Sequence, residues 1–398
     1  MFTCGVRDFK LAFPHIEQGV DSNFPDIWLG NPYIDQKLLK KHSRKKHGTV
    51  ENGIEFYRVG YPIINNANNA SSHFTQGFFW DMIACADYHR PLPLRLYELM
   101  SMYANGRMGD PDIKAPETEK HRNICKKFAR MKPDIHLSKD ETEYNLVSDV
   151  YGADRYWVIA PGGKRDCTTK IWDWREFQRV VDYFEGRLKF VVIGRSDHIV
   201  EKLNGVISLV DKFNKNLRGI FSLVYHSEGC ISGVSFLMHL AAAMPGYKGE
   251  FGASLRKPCV SIYGGREPIT FTNYNQHQVL HTGGAFKCCE DGGCWQSRVT
   301  PLPKDRSKNN RMCHNTVVAG GRTVQSCMNV IGAEDVIRAI NIYYEGNVYK
   351  PLKKKKKEKV VVTVSDVKAV KGKEINILAS LKSKGGGEQS ALKIGDLL

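Results

Sequence analysis

The sequence predicts an α/β protein built around a parallel sheet with helices on both faces. Three observations carry that expectation. Between about residues 150 and 345, apolar runs of strand length alternate with helical stretches. The runs, such as RYWVIA (155–160) and LKFVVIG (188–194), are nearly continuous in apolar residues, as strands covered on both faces are. Between them, WREFQRVVDYFEG (174–186) places Trp174, Phe177, Val180, Val181 and Phe184 on one helical stripe.

The elements follow in order. Within the first block, 1–145, FPDIWLGNPYID (24–35) reads as a short strand and a turn, and KKHSRKKHG (40–48) as a basic loop. NNANNASSHF (65–74) is a polar loop rich in turn-forming Asn and Ser, and LPLRLYELMSMYANG (92–106) is a helix that Gly106 stops. In the second block, 150–345, strands are expected at 155–160, 188–194, 205–210, 229–232 and 257–264. Helices are expected at 174–186, 214–226, 235–244 and 333–346. Asp173 with Glu176 forms a capping box at the first of these, and Gly186 ends it. In the last helix, Ile337, Ile340 and Tyr344 share a face with Val336. A Lys-rich linker (351–373) leads to EINILASLKSKGGGEQSALKIGDLL (374–398), which reads as a strand, a Gly-rich turn and a helix. One strand and one helix cannot bury a core, so this is expected to be the start of a further, truncated domain.

Composition narrows the class. The chain has 398 residues, 42% hydrophobic and 25% charged, as a globular protein of two or three domains would. No apolar run reaches the length of a membrane span, and MFTCGVRDFK lacks the apolar core of a signal peptide. The expected location is the cytoplasm, where disulfides are disfavoured. The formal charge of +16 suggests nucleic acid, but its distribution argues otherwise. Residues 351–398 hold twelve Lys against five Asp or Glu, densest at Lys353–Lys357. Such a run reads first as a solvated linker and second as a peripheral contact with an anionic membrane surface or nucleic acid.

One loop has the composition of an anion site. After the strand at 155–160 comes PGGKRDCTTKIWDW (161–174), which leads into a helix. Gly162 and Gly163 allow close backbone approach, and Lys164, Arg165 and Lys170 supply mobile positive charge. A helix N-terminus adds its partial charge. That combination suits a diphosphate, although neither GxxxxGK[ST] nor GxGxxG is present. In an open parallel sheet, ligands sit beyond the carboxyl ends of the strands, where this loop lies.

Several stretches resemble glycosyltransferase family 9, the heptosyltransferase-like group. APGGKRDCTTKIWDWREFQRVVDYF resembles the entry to its second domain: a Pro-Gly loop, Lys-x-Trp, then a helix. SFLMHLAAAM followed by KPCVSIYGGREPITFTNY resembles its later helix, strand and Gly-rich turn. GVRDFKLAFPHI (5–16) resembles its opening motif, with Asp8 six residues before Pro14, and NPYID (31–35) also fits. The likeness covers roughly residues 5–345. It implies a GT-B architecture: two facing Rossmann-like domains, an acceptor domain at 1–145 with a shortened first strand and a nucleotide-sugar domain at 150–345. It also implies inverting sugar transfer, heptose-like, from a nucleotide-diphosphate sugar such as ADP-heptose to a saccharide or protein acceptor, a step in lipopolysaccharide biosynthesis. Asp8 would be the catalytic base. Gly162, Gly163, Lys164, Arg165, Lys170, Ser235, His239, Gly264 and Gly265 would line the donor site, with no catalytic metal. The last helix would cross back to brace the first domain. Two positions depart from the pattern: Arg7 replaces the usual Gly before the base, and Val234 stands where an acidic residue is expected. PGYKGEFGASLR (245–256) is an insertion. The GGGEQ turn in the tail resembles the opening of family 4 glycosyltransferases.

Five of the eleven cysteines fall within 40 residues: Cys288, Cys289, Cys294, Cys313 and Cys327. The others are dispersed, as core cysteines are. Four thiolates make a closed structural zinc or iron site, and the polar stretch between them cannot build a core of its own. Cys289, Cys294, Cys313 and Cys327 are the expected ligands, with Cys288 as the alternate, in a finger spanning 286–328. Bacterial autotransporter heptosyltransferases carry an iron-binding Cys finger that this arrangement resembles. Free buried thiols and a redox pair are the other readings. Two rival functions stay open beside the enzyme: a non-catalytic nucleotide-sugar binder, and a Cys-metal nucleic-acid-binding protein. The absence of a recognition-helix signature near the cysteines counts against the latter, so no nucleic-acid partner is expected.

Overall fold

The computed structural model describes residues 17–22, 24–41, 49–56, 73–75, 133–214, 216–245, 247–248, 254–302 and 311–353. The expected helix at 92–106, the opening motif with Asp8, and the tail 374–398 lie outside the described residues.

Six strands form one parallel sheet: β5 (Tyr156–Ala160), β6 (Lys189–Val192), β7 (Ile207–Ser208), β8 (Gly229–Gly233), β11 (Cys259–Gly264) and β12 (His277–His281). Their spatial order is β12-β11-β8-β5-β6-β7, with every neighbour parallel. The chain starts in the middle at β5, moves out one way through β6 and β7, then returns to the other side of β5 for β8. The order therefore reverses between β5 and β8, and that junction is where such sheets bind ligands.

The side-chain period of two is visible in β5. Tyr156 and Val158 enter one core, with Val191, Cys230, Phe221, Leu237 and Ala241. Trp157 and Ile159 enter the other, with Phe190, Val192, Ile231, Phe177 and Val336. Both faces of this strand are buried, which is why its sequence is apolar without alternation.

The helices α1 (Lys139–Glu143), α2 (Leu146–Tyr151), α3 (Trp174–Tyr183), α4 (Leu217–His226), α5 (Phe236–Ala243), α6 (Ile269–Thr272), α7 (Ser326–Asn329) and α8 (Ala333–Glu345) complete this unit. The stripe of α3 is inside as its spacing demands, with Phe177, Val180, Val181 and the following Phe184 buried. Its capping differs from the expectation. Asp173 is the N-cap and accepts from the Arg175 N–H. Glu176 instead takes the Ala333 N–H at 2.8 Å and so ties α3 to α8. Gly186 has φ +72, a left-handed turn just beyond the helix. The closing helix α8, expected to brace the first domain, packs among the described residues on the sheet unit. Val336, Ala339, Ile340, Tyr343 and Tyr344 are buried in the core shared with α3 and the sheet.

In the first block, the stretch read as a strand and turn at 24–35 is a 3₁₀ turn, Pro25–Trp28, with Pro at its first position and Trp28 buried. It stands beside a parallel pair, β1 (Val20–Ser22) and β2 (Leu39–Lys41). β3 (Thr49–Glu51) and β4 (Ile54–Phe56) form a hairpin. The insertion at 245–256 begins and ends in an antiparallel pair, β9 (Tyr247–Lys248) and β10 (Ser254–Leu255). Arg218 on α4 pairs with Glu141 on α1 and donates to the His136 carbonyl at 2.8 Å, fixing the 133–143 segment on the sheet unit. Among the described residues no helix is long and apolar enough to cross a membrane.

Candidate anion site at the mouth of the sheet

The loop after β5 crosses the carboxyl end of β8. A Cβ on Gly233, the last residue of β8, would lie 2.3 Å from the Lys170 carbonyl oxygen, so only glycine fits beneath that loop. Lys170 closes a short 3₁₀ turn, Thr168–Lys170. That turn is stitched from below. The Thr169 N–H donates to the Ser297 carbonyl at 3.2 Å. The Thr169 hydroxyl donates to the Gln296 carbonyl at 2.8 Å. The buried Gln325 amide donates to the carbonyls of Thr169 (3.0 Å) and Ile171 (2.9 Å).

Two residues past Gly233, Ser235 is the N-cap of α5, but its side chain does not cap. Its hydroxyl turns back to Ser232 at 3.4 Å. The first turn of α5 thus opens toward the same junction without a side-chain acceptor from its own cap. The Lys170 backbone thus meets the end of β8 two residues before Ser235, at the strand-order reversal between β5 and β8.

The glycines serve packing. The Gly163 N–H donates to Ile199 and its carbonyl accepts the Ile199 N–H, both at 3.0 Å. A Cβ on Gly162 would lie 2.0 Å from the Ile199 oxygen. The backbone N–H of Gly163, expected at an anion, is therefore already paired, and the positive charge of the loop falls to its side chains. Lys164 and Arg165 are both exposed. Gly264 has φ +59, and a Cβ there would lie 3.1 Å from the Cys327 sulfur. A Cβ on Gly265 would lie 2.7 Å from the Cys289 sulfur. Both glycines, expected to admit the nucleotide, admit sulfur side chains on the side where a Cβ would point.

His239 is corrected from a donor contact to a core residue. Its ring is buried, with Nδ1 2.9 Å from the Tyr274 hydroxyl and Phe74 packed at 4.8 Å between ring centroids. Burial holds it well below the ordinary histidine range, with the charges of His73, Lys170 and His277 adding in the same direction. A neutral ring at that depth braces α5 against α6 and its following loop.

Two residues that the sequence reading passed over stand beside Lys170. Glu267 Oε1 is 2.7 Å from Lys170 Nζ and 2.8 Å from Arg266 Nη1. The signal was present: REP follows directly on the Gly-Gly turn at the carboxyl end of β11. A charged pair at a strand's carboxyl end in such a sheet merits the same weight as the basic loop.

The cysteines are gathered beneath this site. Burial pushes the Cys327 thiol up to about 11, with the neighbouring thiols of Cys294, Cys313 and Cys288 acting in the same direction. Cys294 is raised by burial and by Cys313 and Cys289. The chemistry of the set suits zinc or iron, because only a cation would draw such thiols into their thiolate forms. Their placement does not close a site. Among the described residues no group of three or more His, Cys, Asp or Glu side chains could hold a metal ion. Of the expected ligand set Cys289, Cys294, Cys313 and Cys327, with Cys288, the sulfurs of Cys289 and Cys327 lie against the Gly264–Gly265 turn, while Cys288 is exposed. The segment also contains structure the sequence reading missed. β13 (Thr316–Ala319) and β14 (Arg322–Gln325) form a hairpin turning at Gly320 and Gly321, with φ +57 and +76.

No protein-family model matches the chain, and no curated protein matches it. Among solved structures, the chain is similar to a glycosyl transferase family 9 protein from Veillonella parvula. The TM-score is 0.43 at 15% identity, covering 87% of this chain and 92% of that one. It is also similar to the E. coli ADP-heptose LPS heptosyltransferase II, with a TM-score of 0.42 at 12% identity, covering 86% and 94%. A third is the iron-containing dodecameric glycosyltransferase TibC of enterotoxigenic E. coli, with a TM-score of 0.46 at 16% identity, covering 86% and 71%. Superpositions of that size say nothing of chemistry, and what this chain does has to come from its own residues.

Proposed function

We propose that the chain is an inverting glycosyltransferase that binds the diphosphate of a nucleotide sugar at the junction of β5 and β8. One observation supports the reading: the backbone carbonyl of Lys170 lies over Gly233 at the carboxyl end of β8, two residues before Ser235, whose side chain leaves the first turn of α5 uncapped. A cation and a helix amino end together suit a diphosphate.

The chemistry asks little else of the protein. A carboxylate takes the proton of the acceptor hydroxyl as that oxygen attacks the anomeric carbon. The bond to the diphosphate oxygen breaks on the opposite face, so the configuration inverts. Lys170, with Lys164 and Arg165 from the same loop, stabilises the charge that builds on the departing diphosphate. Asp8 is the proposed base on the strength of its motif. The donor proposed is ADP-heptose-like, as the motif resemblance implies, and the acceptor is a saccharide or protein. A zinc or iron ion on Cys289, Cys294, Cys313 and Cys327 is proposed only as a structural element, and no step of the reaction passes through it.

The test is a screen of nucleotide sugars against the purified protein, by protection from thermal unfolding, followed by transfer assays with Asp8→Asn. The expected result is protection by a nucleotide-diphosphate sugar, with transfer lost and binding kept in the variant. Binding without transfer in either protein would make the chain a non-catalytic nucleotide-sugar binder.

A further inference from the structure

Lys170 does not wait for its ligand unpaired. Glu267, whose side chain is 2% exposed, accepts from it at 2.7 Å. The same carboxylate oxygen takes Arg266 Nη1 at 2.8 Å. The three residues differ in how tightly they are held. Arg266 is anchored twice more: its Nε donates to the Gln296 carbonyl at 2.7 Å, and its guanidinium lies 5.5 Å from the centre of the Trp295 ring. Glu267 is held by its backbone. A Cβ on Gly293 would lie 2.6 Å from the Glu267 Cα, and the Trp295 N–H donates to the Arg266 carbonyl at 2.9 Å. Lys170 is the member that faces out, with its side chain 28% exposed on a flexible four-carbon stem.

Resting on the reading of this junction as a diphosphate site, we propose that Glu267 is an internal anion that competes with the donor diphosphate for Lys170. On donor binding the ammonium exchanges the carboxylate for a phosphate oxygen, and Arg266 keeps the carboxylate. The exchange is permitted because Glu267 has two cations. Losing one partner of a buried pair is costly when it strands a charge, and here it does not. A single buried carboxylate with Lys170 as its only partner would oppose the ligand far more strongly. Glu267 therefore sets donor affinity in proportion to the diphosphate's charge, and a ligand without a diphosphate does not feel it.

The alternative role, a carboxylate that positions Lys170 for the ligand, predicts the opposite sign. The experiment is isothermal titration of ADP and of adenosine into wild type, Glu267→Gln, Lys170→Ala and the double variant. Exchange predicts ADP binding tighter by up to about fivefold in Glu267→Gln, the effect of freeing one partly exposed ion pair. It predicts unchanged adenosine binding and no effect of Glu267→Gln once Lys170 is alanine. Where Glu267→Gln fails to fold, Glu267→Asp draws the carboxylate back by one methylene while keeping it charged for Arg266, and the same tightening is expected to a smaller degree. ADP binding that is unchanged or weaker in a folded Glu267 variant, with Lys170→Ala still losing ADP, overturns the exchange and leaves the diphosphate site standing. Loss of neither ADP nor adenosine binding in Lys170→Ala, or no binding to wild type, overturns both.

Discussion

The carbonyl of Lys170 lies directly over Gly233, 2.3 Å from the position a Cβ would take. This close approach joins the basic loop after β5 to the start of α5 and so assembles the candidate site. Gly233→Ala should push the loop off the strand. The expected cost is about 1–3 kcal/mol of stability, the range for overpacking a filled site. Thermal unfolding would measure it, and nucleotide-diphosphate binding should weaken in parallel because Lys170 moves with its backbone.

Asp8→Asn separates chemistry from binding. The substitution removes the proposed base, so the rate of transfer should fall by roughly 10²–10⁴-fold, the range for a general base. The affinity for the donor should be unchanged. Single-turnover transfer and calorimetric binding on the same preparation would check both halves.

A network at the opposite end of the sheet provides a control. The Trp157 indole N–H donates to the Tyr344 hydroxyl at 2.7 Å, and that hydroxyl donates to Glu228 at 2.6 Å. Arg155 completes it with Glu228 at 2.7 Å. Tyr344→Phe leaves a buried indole N–H and a carboxylate oxygen short of a partner, at a cost of about 1–3 kcal/mol. Denaturant unfolding should show that loss, while donor binding at the carboxyl ends of the strands should not change.

Stability should fall in mild acid. Burial alone pushes His277 down to about 3 from its ordinary 6.5. Burial, partly offset by backbone hydrogen bonds with Thr272 and Asn273, takes His73 to about 4. Each therefore binds its proton more weakly folded than unfolded. Their neutral forms are stabilising above about 6.5, and that stability is lost as the pH drops from 6.5 toward 4. Melting temperatures between pH 7 and 4 should decline, and His277→Gln should flatten part of the decline.

The sulfur cluster is checked by elemental analysis. Retention of a structural ion predicts about one zinc or iron per chain after purification, lost together with several degrees of melting temperature in Cys294→Ser. A metal-free protein that melts unchanged after chelation would leave the five as free thiols, with Cys289 and Cys327 packed against Gly264 and Gly265.

Much of the sheet unit was legible because its signals are local. Continuous apolar runs marked β5, β6 and β11, and the 3.6-residue stripes of α3 and α8 matched what is buried. Strand β12, HQVLH, was missed because only its first residue is fully buried and its polar residues interrupt the run. The hairpin of β13 and β14 was missed for another reason: AGGR is a direct two-residue turn signal, overlooked beside the cysteines. For the site, the charge of the loop could be read but its geometry could not. Nothing local in PGGKR reveals that the Gly163 N–H is paired to Ile199, 36 residues on. Nor does HLAA reveal that His239 faces Phe74 and Tyr274 in the core rather than the mouth. Pairings between distant segments decide both, and a single sequence holds them only implicitly.

The central claim is that Lys170 receives a diphosphate at the reversal between β5 and β8. Calorimetric titration of ADP into wild type and Lys170→Ala tests it most directly. A saturable wild-type isotherm, weakened roughly 10–100-fold in the variant, is the result expected for removing one charged hydrogen bond. Equal affinity in the two proteins, with both folded, would contradict it.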